Sequence, residues 1–407
     1  MIKEEFYTYT LPNGIKGIHR NIRSGAARCA LIIGAGSRDE QQGEYGLAHF
    51  VEHGLFKGTA RRKAYQVNCR LENLGGELNA FTTKEDTTLH ATVLRSDFSK
   101  AAELISDVVF HSTFPDKELD KEREVIVDEI NTYKDSPMDM IYDTFEDMIF
   151  EGSELGHNIL GRKADLMRHN SAAMHRFVDR TYTTDQMVFA SIGAISNARI
   201  EQIASRYFAC EPASTKSYTR TVPQPYKAFT REVTKHTHQA HCIIGNRAYS
   251  ITEDKRLPLS LLINILGGPT ANSRLNVTVR ERKGLSYNIE ASYTPYSDAG
   301  MALIYFSSEH CNADLCREII DSEIRKLQTE RLTARQLSMA KRQYIAQMTI
   351  STEGSENYML GVGRSMLVHG EVDTLDQAFK KINAVTADQI LEVANEIFVN
   401  NSTLLYK

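Results

Sequence analysis

No CxxC pair occurs among the six cysteines of this 407-residue chain, Cys29, Cys69, Cys210, Cys242, Cys311 and Cys316. Thiols scattered in this way exclude a disulfide scaffold or a zinc-thiolate framework, and they read as reduced, buried side chains. Long apolar runs are missing as well. The longest, Leu257 to Leu266, is interrupted by Ser260 and Asn264 and falls far short of the roughly 20 residues that cross a bilayer, so no membrane span is expected. Nor is there an excess of positive charge. With 48 Lys plus Arg against 52 Asp plus Glu, the net charge of −4 supplies no field for gripping a phosphate backbone and argues against nucleic acid. The first residues, MIKEEFYTYTLPNG, contain two acids and no apolar signal run, so the expected location is cytoplasmic.

What is present is an ordinary globular composition, 42% hydrophobic and 25% charged, in a chain long enough for roughly two or three domains. The opening reads as a hairpin, Phe6 to Leu11 and Ile15 to Arg20 around Pro12, Asn13 and Gly14. A strand near Cys29 to Ile33 precedes helical spacing over Gly46 to Phe56 and a helix from Ala64 to Leu74 that stops at Gly75 and Gly76. Strands near Leu78 to Thr82 and Thr87 to Leu94 follow, then long helices over most of Phe98 to Phe150, a helix near Ala172 to Arg180 and a strand near Met187 to Ile192. Pro212, Pro223 and Pro225, with several Ser and Thr, mark a linker at 212–229. Beyond it the order repeats: strands near Glu232 to Ile244, helices near Leu257 to Leu266 and Ser273 to Arg282, strands from Tyr287 to Phe306, long helices, and a helix from Ala387 to Ile397 that leads to a strand at Leu404 to Tyr406. The expected fold is therefore α+β, with two homologous sandwich units at 1–211 and 230–407, each a mixed or antiparallel sheet with helices packed on one side.

The chemistry concentrates in His49, Phe50, Val51, Glu52 and His53, inside the first amphipathic helix. Positions three and four apart share a helical face, so both imidazoles and the Glu52 carboxylate project to one side. Two imidazoles one turn apart can hold one zinc ion, provided that a third protein ligand comes from elsewhere and a position stays open for water. Glu52, beside the metal, is suited to take a proton from the attacking water and hand it to a leaving amine. The third ligand is sought on the helix that begins near Asp116. There Glu122 and Glu129 lie seven apart, two turns on one face, so one could bind metal while the other supports it.

GLAHFVEHGLFKGT, GGELNAFTTKEDTTLHATV and EREVIVDEI together resemble the pitrilysin family of zinc peptidases, whose HxxEH order inverts the commoner HExxH. The resemblance covers essentially the whole chain and is strongest to the branch of mitochondrial processing peptidase and its bacterial relatives. It implies one zinc per chain, held by His49, His53 and Glu129, the last 76 residues beyond His53, with Glu122 in the supporting place. It further implies that Arg280 and Tyr287, in RERKGLSY, contact substrate near the scissile carbonyl, where a cation and a phenol can stabilise an oxyanion. Asn79 and Ala80 fall on the family strand that pairs with an extended peptide. Asp139 and Asp143 match an acidic pair that receives a substrate arginine.

The implied activity is endopeptidase cleavage of extended or unfolded peptides inside a closed chamber. Family members enclose substrate between two bowls made of four α+β units, and this chain supplies two. A homodimer that shares Arg280 and Tyr287 across the chamber is therefore expected. The rivals are a non-catalytic scaffold and a subunit of a heteromeric peptidase. His236, His238 and His241 offer a weaker metal reading, since strand alternation would turn His241 away from the other two. His157, in ELGHNILG, resembles a family loop, has no metal partner in sequence, and is read as structural.

Overall fold

The structure, a computed structural model, describes residues 6–407. Its first unit comprises residues up to Asn131, His157–Thr221 and Ser351–Thr374, and the second Thr132–Gly156, Val222–Ile350 and Leu375–Lys407. In chain order the first half runs β1 (Tyr7–Thr10), β2 (Lys16–Asn21), β3 (Ala26–Ile33), α1 (Leu47–Leu55), α2 (Ala64–Glu72), β4 (Glu77–Thr82), β5 (Thr87–Leu94), α3 (Phe98–Phe110), α4 (Asp116–Lys134), α5 (Pro137–Ile149), α6 (Lys163–Leu166), α7 (Ser171–Thr181), β6 (Met187–Gly193) and α8 (Asn197–Phe208). The second half runs β7 (Thr230–Val233), β8 (Ala240–Ala248), α9 (Arg256–Gly267), a π-helical turn at Asn276–Glu281, β9 (Ser286–Pro295), β10 (Gly300–Ser308), α10 (Ala313–Thr329), α11 (Ala334–Glu353), α12 (Ser355–His369), α13 (Leu375–Ala384), α14 (Ala387–Ile397) and β11 (Ser402–Tyr406).

Two sheets follow one plan. The first has the order β1-β2-β6-β3-β5-β4 and the second β7-β11-β8-β10-β9. In each, one pair is parallel, β2 with β6 and β7 with β11, and the remaining inner pairs are antiparallel. This is the internal repeat expected from the sequence, with β1 and α8 as additions to the first copy. The opening hairpin turns at Gly14, whose φ of 97° is reached without strain only by glycine.

Both faces of each sheet are covered, which adds a layer to the one-sided packing expected from the pattern. On one face of the first sheet, Leu31, Ile33 and Phe189 pack with Phe50, Val51, Leu104 and Phe177. On the opposite face, Ile18, Ile32 and Ala190 pack against Met359, Val362 and Met366 of α12, a helix from the second half of the chain. The second sheet is treated reciprocally: Ile243, Leu303 and Leu404 pack against Ile141, Phe145 and Ile149 of α5, from the first half. The compact units therefore do not follow the sequence halves 1–211 and 230–407. Apolar strand faces demand a cover, and a helix of the opposite half supplies it in each unit.

The segment 212–229 has no helix or strand, as its prolines suggest, yet its first part is fastened down. Arg220 donates to Asp39 at 2.8–2.9 Å and to the carbonyls of Gly34 and Glu85, and Ser214 pairs with Thr184. A further difference lies at residues 234–239, expected as strand. His236 takes a left-handed φ of 51°, and the amides of Lys235 and His236 donate to the carbonyl of Lys407, so the chain bends around the end of β11 before β8 begins. The cysteines also depart in part from expectation. All six are free, but only Cys29, Cys242 and Cys316 are buried, whereas Cys210 and Cys311 are exposed. Among the described residues, no helix is long and apolar enough to cross a membrane.

Candidate metal centre

Helix α1 carries Leu47, Phe50, Val51 and Leu55 into the core on one side, which leaves His49, Glu52 and His53 at the boundary of that apolar stripe. Helix α4 buries Leu119, Glu122, Ile126 and Ile130 along one face, so Glu122 is drawn in with the apolar residues while Glu129, two turns on, stays open to solvent. The result is a triangle of donor atoms. His49 Nε2 and His53 Nε2 lie 3.2 Å apart, and each is 3.7 Å from Glu129 Oε2. A tetrahedral zinc ion with bonds of about 2.0–2.1 Å spaces its ligand atoms roughly 3.3–3.4 Å apart, so the three fit one ion with small adjustments. Among the described residues no other group of histidine, cysteine and acid converges in this way.

The charge states suit a metal. Burial, reinforced by the charge of His53, pushes His49 down to about 3, so its imidazole is neutral and a lone pair is free for coordination. His53 Nδ1 donates to Glu122 at 2.7 Å, which fixes the tautomer and leaves Nε2 unprotonated toward the triangle. Burial raises Glu122, but its hydrogen bonds to His53 and Lys57 outweigh that and hold it below the usual carboxylate value, with Lys57 Nζ 2.5 Å from its second oxygen. His49 has no such support, since its buried Nδ1 has no hydrogen-bond partner among the described residues. Glu52 is raised, chiefly by burial, against the hydrogen bonds that Thr82 donates to it from the end of β4. A carboxylate shifted upward beside a metal triangle is a stronger base than one in bulk water.

Residues 18–163 match the family described as Insulinase (Peptidase family M16), and residues 170–344 match the Peptidase M16 inactive domain. The chain is 32% identical over 400 residues to the uncharacterized zinc protease YmxG of Bacillus subtilis, covering 97% of this chain and 96% of that one. It is 29% identical over 403 residues to an uncharacterized zinc protease of Rickettsia bellii, covering 99% and 97%. This chain belongs to the insulinase family of peptidases. Two solved structures share the fold: a protease from Helicobacter pylori, at a TM-score of 0.90 and 20% identity over 99% of both chains, and a peptidase M16 inactive domain from Pseudomonas fluorescens, at 0.91 and 19% over 99% of this chain and 97% of that one.

Within this insulinase-family fold the remaining candidates are placed as follows. Asn79 and Ala80 sit in β4, the terminal strand of the first sheet, paired on one side with His90 and Leu89 of β5. Arg280 lies in the π-helical turn and Tyr287 at the start of β9, both in the second unit; Tyr287 is 84% exposed and Arg280 is half exposed. Asp139 and Asp143 lie on α5, also in the second unit, where Asp143 interacts with Tyr133. His236, His238 and His241 line a cavity of about 560 Å³ with Lys134, Asp135 and Lys235, but do not meet as a ligand set. Sequence reasoning missed Lys57 and Thr82. A cation four residues past His53 was a weak signal for the first, whereas only tertiary packing brings Thr82 to Glu52.

Proposed function

We propose that the protein is a zinc endopeptidase acting on extended or unfolded peptides. The observation that carries the reading is the His49, His53 and Glu129 triangle with the buried Glu52 on the same helix. Zinc, when bound by these three residues, supplies a Lewis acid that polarises the peptide carbonyl and acidifies water. Glu52 takes the proton of the attacking water on its carboxylate and returns it to the leaving amide nitrogen. Glu122 keeps His53 oriented, and Lys57 keeps Glu122 ionised. The free edge of β4 at Asn79 and Ala80 accepts the substrate as an added strand, so grip comes from backbone hydrogen bonds and selectivity is low.

Arg280 and Tyr287 donate to the carbonyl oxygen as it becomes an oxyanion, each reaching the site from the partner chain of a homodimer that closes a chamber around the peptide. Asp139 and Asp143 offer charge for a substrate arginine, and comparing cleavage of peptides with and without that arginine tests it. The setting is the cytoplasm.

Glu52→Gln should keep one zinc per chain and lose on the order of 10²–10⁴-fold in peptide hydrolysis. Undiminished cleavage would refute the base. Mixing Glu52→Gln chains with Tyr287→Phe chains should restore activity in the mixed dimer; a mixed dimer that forms and stays inactive rules out sharing between chains. Full activity without bound metal would favour a different peptidase chemistry altogether.

A further inference from the structure

Among the described residues His49 has no acceptor at Nδ1, so its position is set by the backbone that carries it. That backbone starts abruptly. Gly46 caps α1 in the left-handed region at φ 85°, has no side chain to cap with, and leaves the first amides of the helix to be satisfied from elsewhere. The buried carboxylate of Glu40 does so. Its Oε2 accepts from Gly46 N at 3.0 Å and its Oε1 from Ala48 N at 2.8 Å, the residue immediately before His49. Glu40 is in turn held by His157, whose Nε2 donates to Oε2 at 2.8 Å. The His157 ring packs at a tilt against Tyr45 with centroids 4.4 Å apart, and Lys84 Nζ donates to the His157 carbonyl at 2.6 Å. The same loop closes on the helix start through Gly161, where an added Cβ would come within 2.5 Å of Tyr45 O and 2.6 Å of Gly46 Cα.

From this arrangement we infer that Glu40, locked by His157, is a positioning residue that sets the height and rotation of the metal-bearing helix and so places His49. The inference rests on the metal-site reading above and extends it to two residues that touch neither metal nor substrate. Both carboxylate oxygens are needed, since each takes a different helix amide. A glutamine in place of Glu40 has one acceptor oxygen and must aim its NH₂ group at a backbone N–H or at His157.

Four full-length variants test this: Glu40→Gln, His157→Ala, His157→Gln, and Leu303→Ala in the core of the second unit as a control for destabilisation. Three quantities are read: zinc affinity by competition with a chromophoric chelator, kcat and KM separately, and hydrogen exchange of the α1 amides in zinc-free protein. Glu40→Gln and His157→Ala should speed exchange at the start of α1 about tenfold or more, weaken zinc about 10–100-fold, and lower kcat with KM within about twofold. His157→Gln, which keeps a donor for Glu40, should recover most of each loss, and Leu303→Ala should leave zinc affinity and α1 exchange unchanged. Unaltered α1 exchange and zinc affinity in Glu40→Gln, or equal losses in Leu303→Ala, overturn the inference. Wild-type protein that binds no zinc would instead sink the metal site, while the exchange data would still decide the role of Glu40.

Discussion

The two units share a sheet plan and differ in what the equivalent helices carry. In the first, α1 presents His49 and His53 four residues apart, and α4 answers with Glu129. In the second, α9 occupies the same place in the element order and presents Ser260 and Asn264, also four apart, while α11 answers with Gln347. Asn264 Nδ2 donates to Gln347 Oε1 at 2.8 Å, and Ser260 Oγ donates to its own helix at the Arg256 carbonyl. One architecture thus holds a set of ionisable donors in one copy and neutral, hydrogen-bonded side chains in the other. Pairing helices at this position is a property of the fold; gathering charge for a metal is a property of the residues grafted on it.

The largest expected effect breaks that contrast directly. His53→Ala and Glu129→Ala should each lose zinc by more than the 10–100-fold that removal of a supporting partner costs, whereas Asn264→Ala should leave one zinc per chain and cost only about 1 kcal/mol of stability. Metal analysis of purified variants and a denaturant titration check both, and loss of zinc in Asn264→Ala would mean that the second unit is not silent. Next in size are the borrowed helices. Phe145→Ala on α5 should destabilise the second unit by about 3–5 kcal/mol and Met359→Ala on α12 the first by about 2–5 kcal/mol. Hydrogen exchange resolved along the chain should assign the first loss to β8, β10 and β11 and the second to β2, β3 and β6. Losses in the opposite units would contradict the exchange of helices between halves.

Acidification should separate the units more gently. In the first, burial lowers His19, His49 and His169, and in the second, burial followed by the charge of His310 lowers His241. For these histidines the unfolded chain binds protons first as pH falls from the ordinary histidine value, so their contribution to folding stability, fully present above about 6.5, declines below it, while Glu40 and Glu52, raised chiefly by burial, act in the opposite sense. For metal-free protein His49 alone sets a limit of about 1.4 kcal/mol per pH unit in that window. Between pH 7.5 and 5.5, after correction for the slower intrinsic exchange at lower pH, core amides of β2, β3 and β6 should lose protection faster than those of β8 and β10. His19→Gln, which removes the imidazole held between Ser191 and the Ile195 carbonyl, should flatten the slope of the first unit.

Much of the chemistry was legible because it is local or locally periodic. HxxEH lies within a little more than one helical turn, and Glu122 and Glu129 lie on one helix, so geometry follows from the 3.6-residue repeat. Which glutamate points at the imidazoles was open from spacing alone and came from family resemblance. Glu122 is 2.7 Å from His53 Nδ1 and Glu129 is near both Nε2 atoms, because α4 runs past α1 with Glu122 in its apolar stripe. The bend at His236 was hidden for a different reason: the turn exists only because β11, from the other end of the chain, offers the Lys407 carbonyl.

The sequence by itself determined the α+β class, the repeat, the elements that carry chemistry and the identities of the candidate ligands, since each depends on patterns within a few helical turns or strands. Only the tertiary structure decided that α5 and α12 change places between halves, that Lys57 and Thr82 join the site, and that Glu40 and His157 brace the start of α1. Those arrangements arise from burying apolar faces and satisfying orphaned backbone amides; Glu40 lies only six and eight residues from the amides it serves, but outside any helical repeat, and the other partners lie tens to hundreds of residues away, where periodicity carries no information.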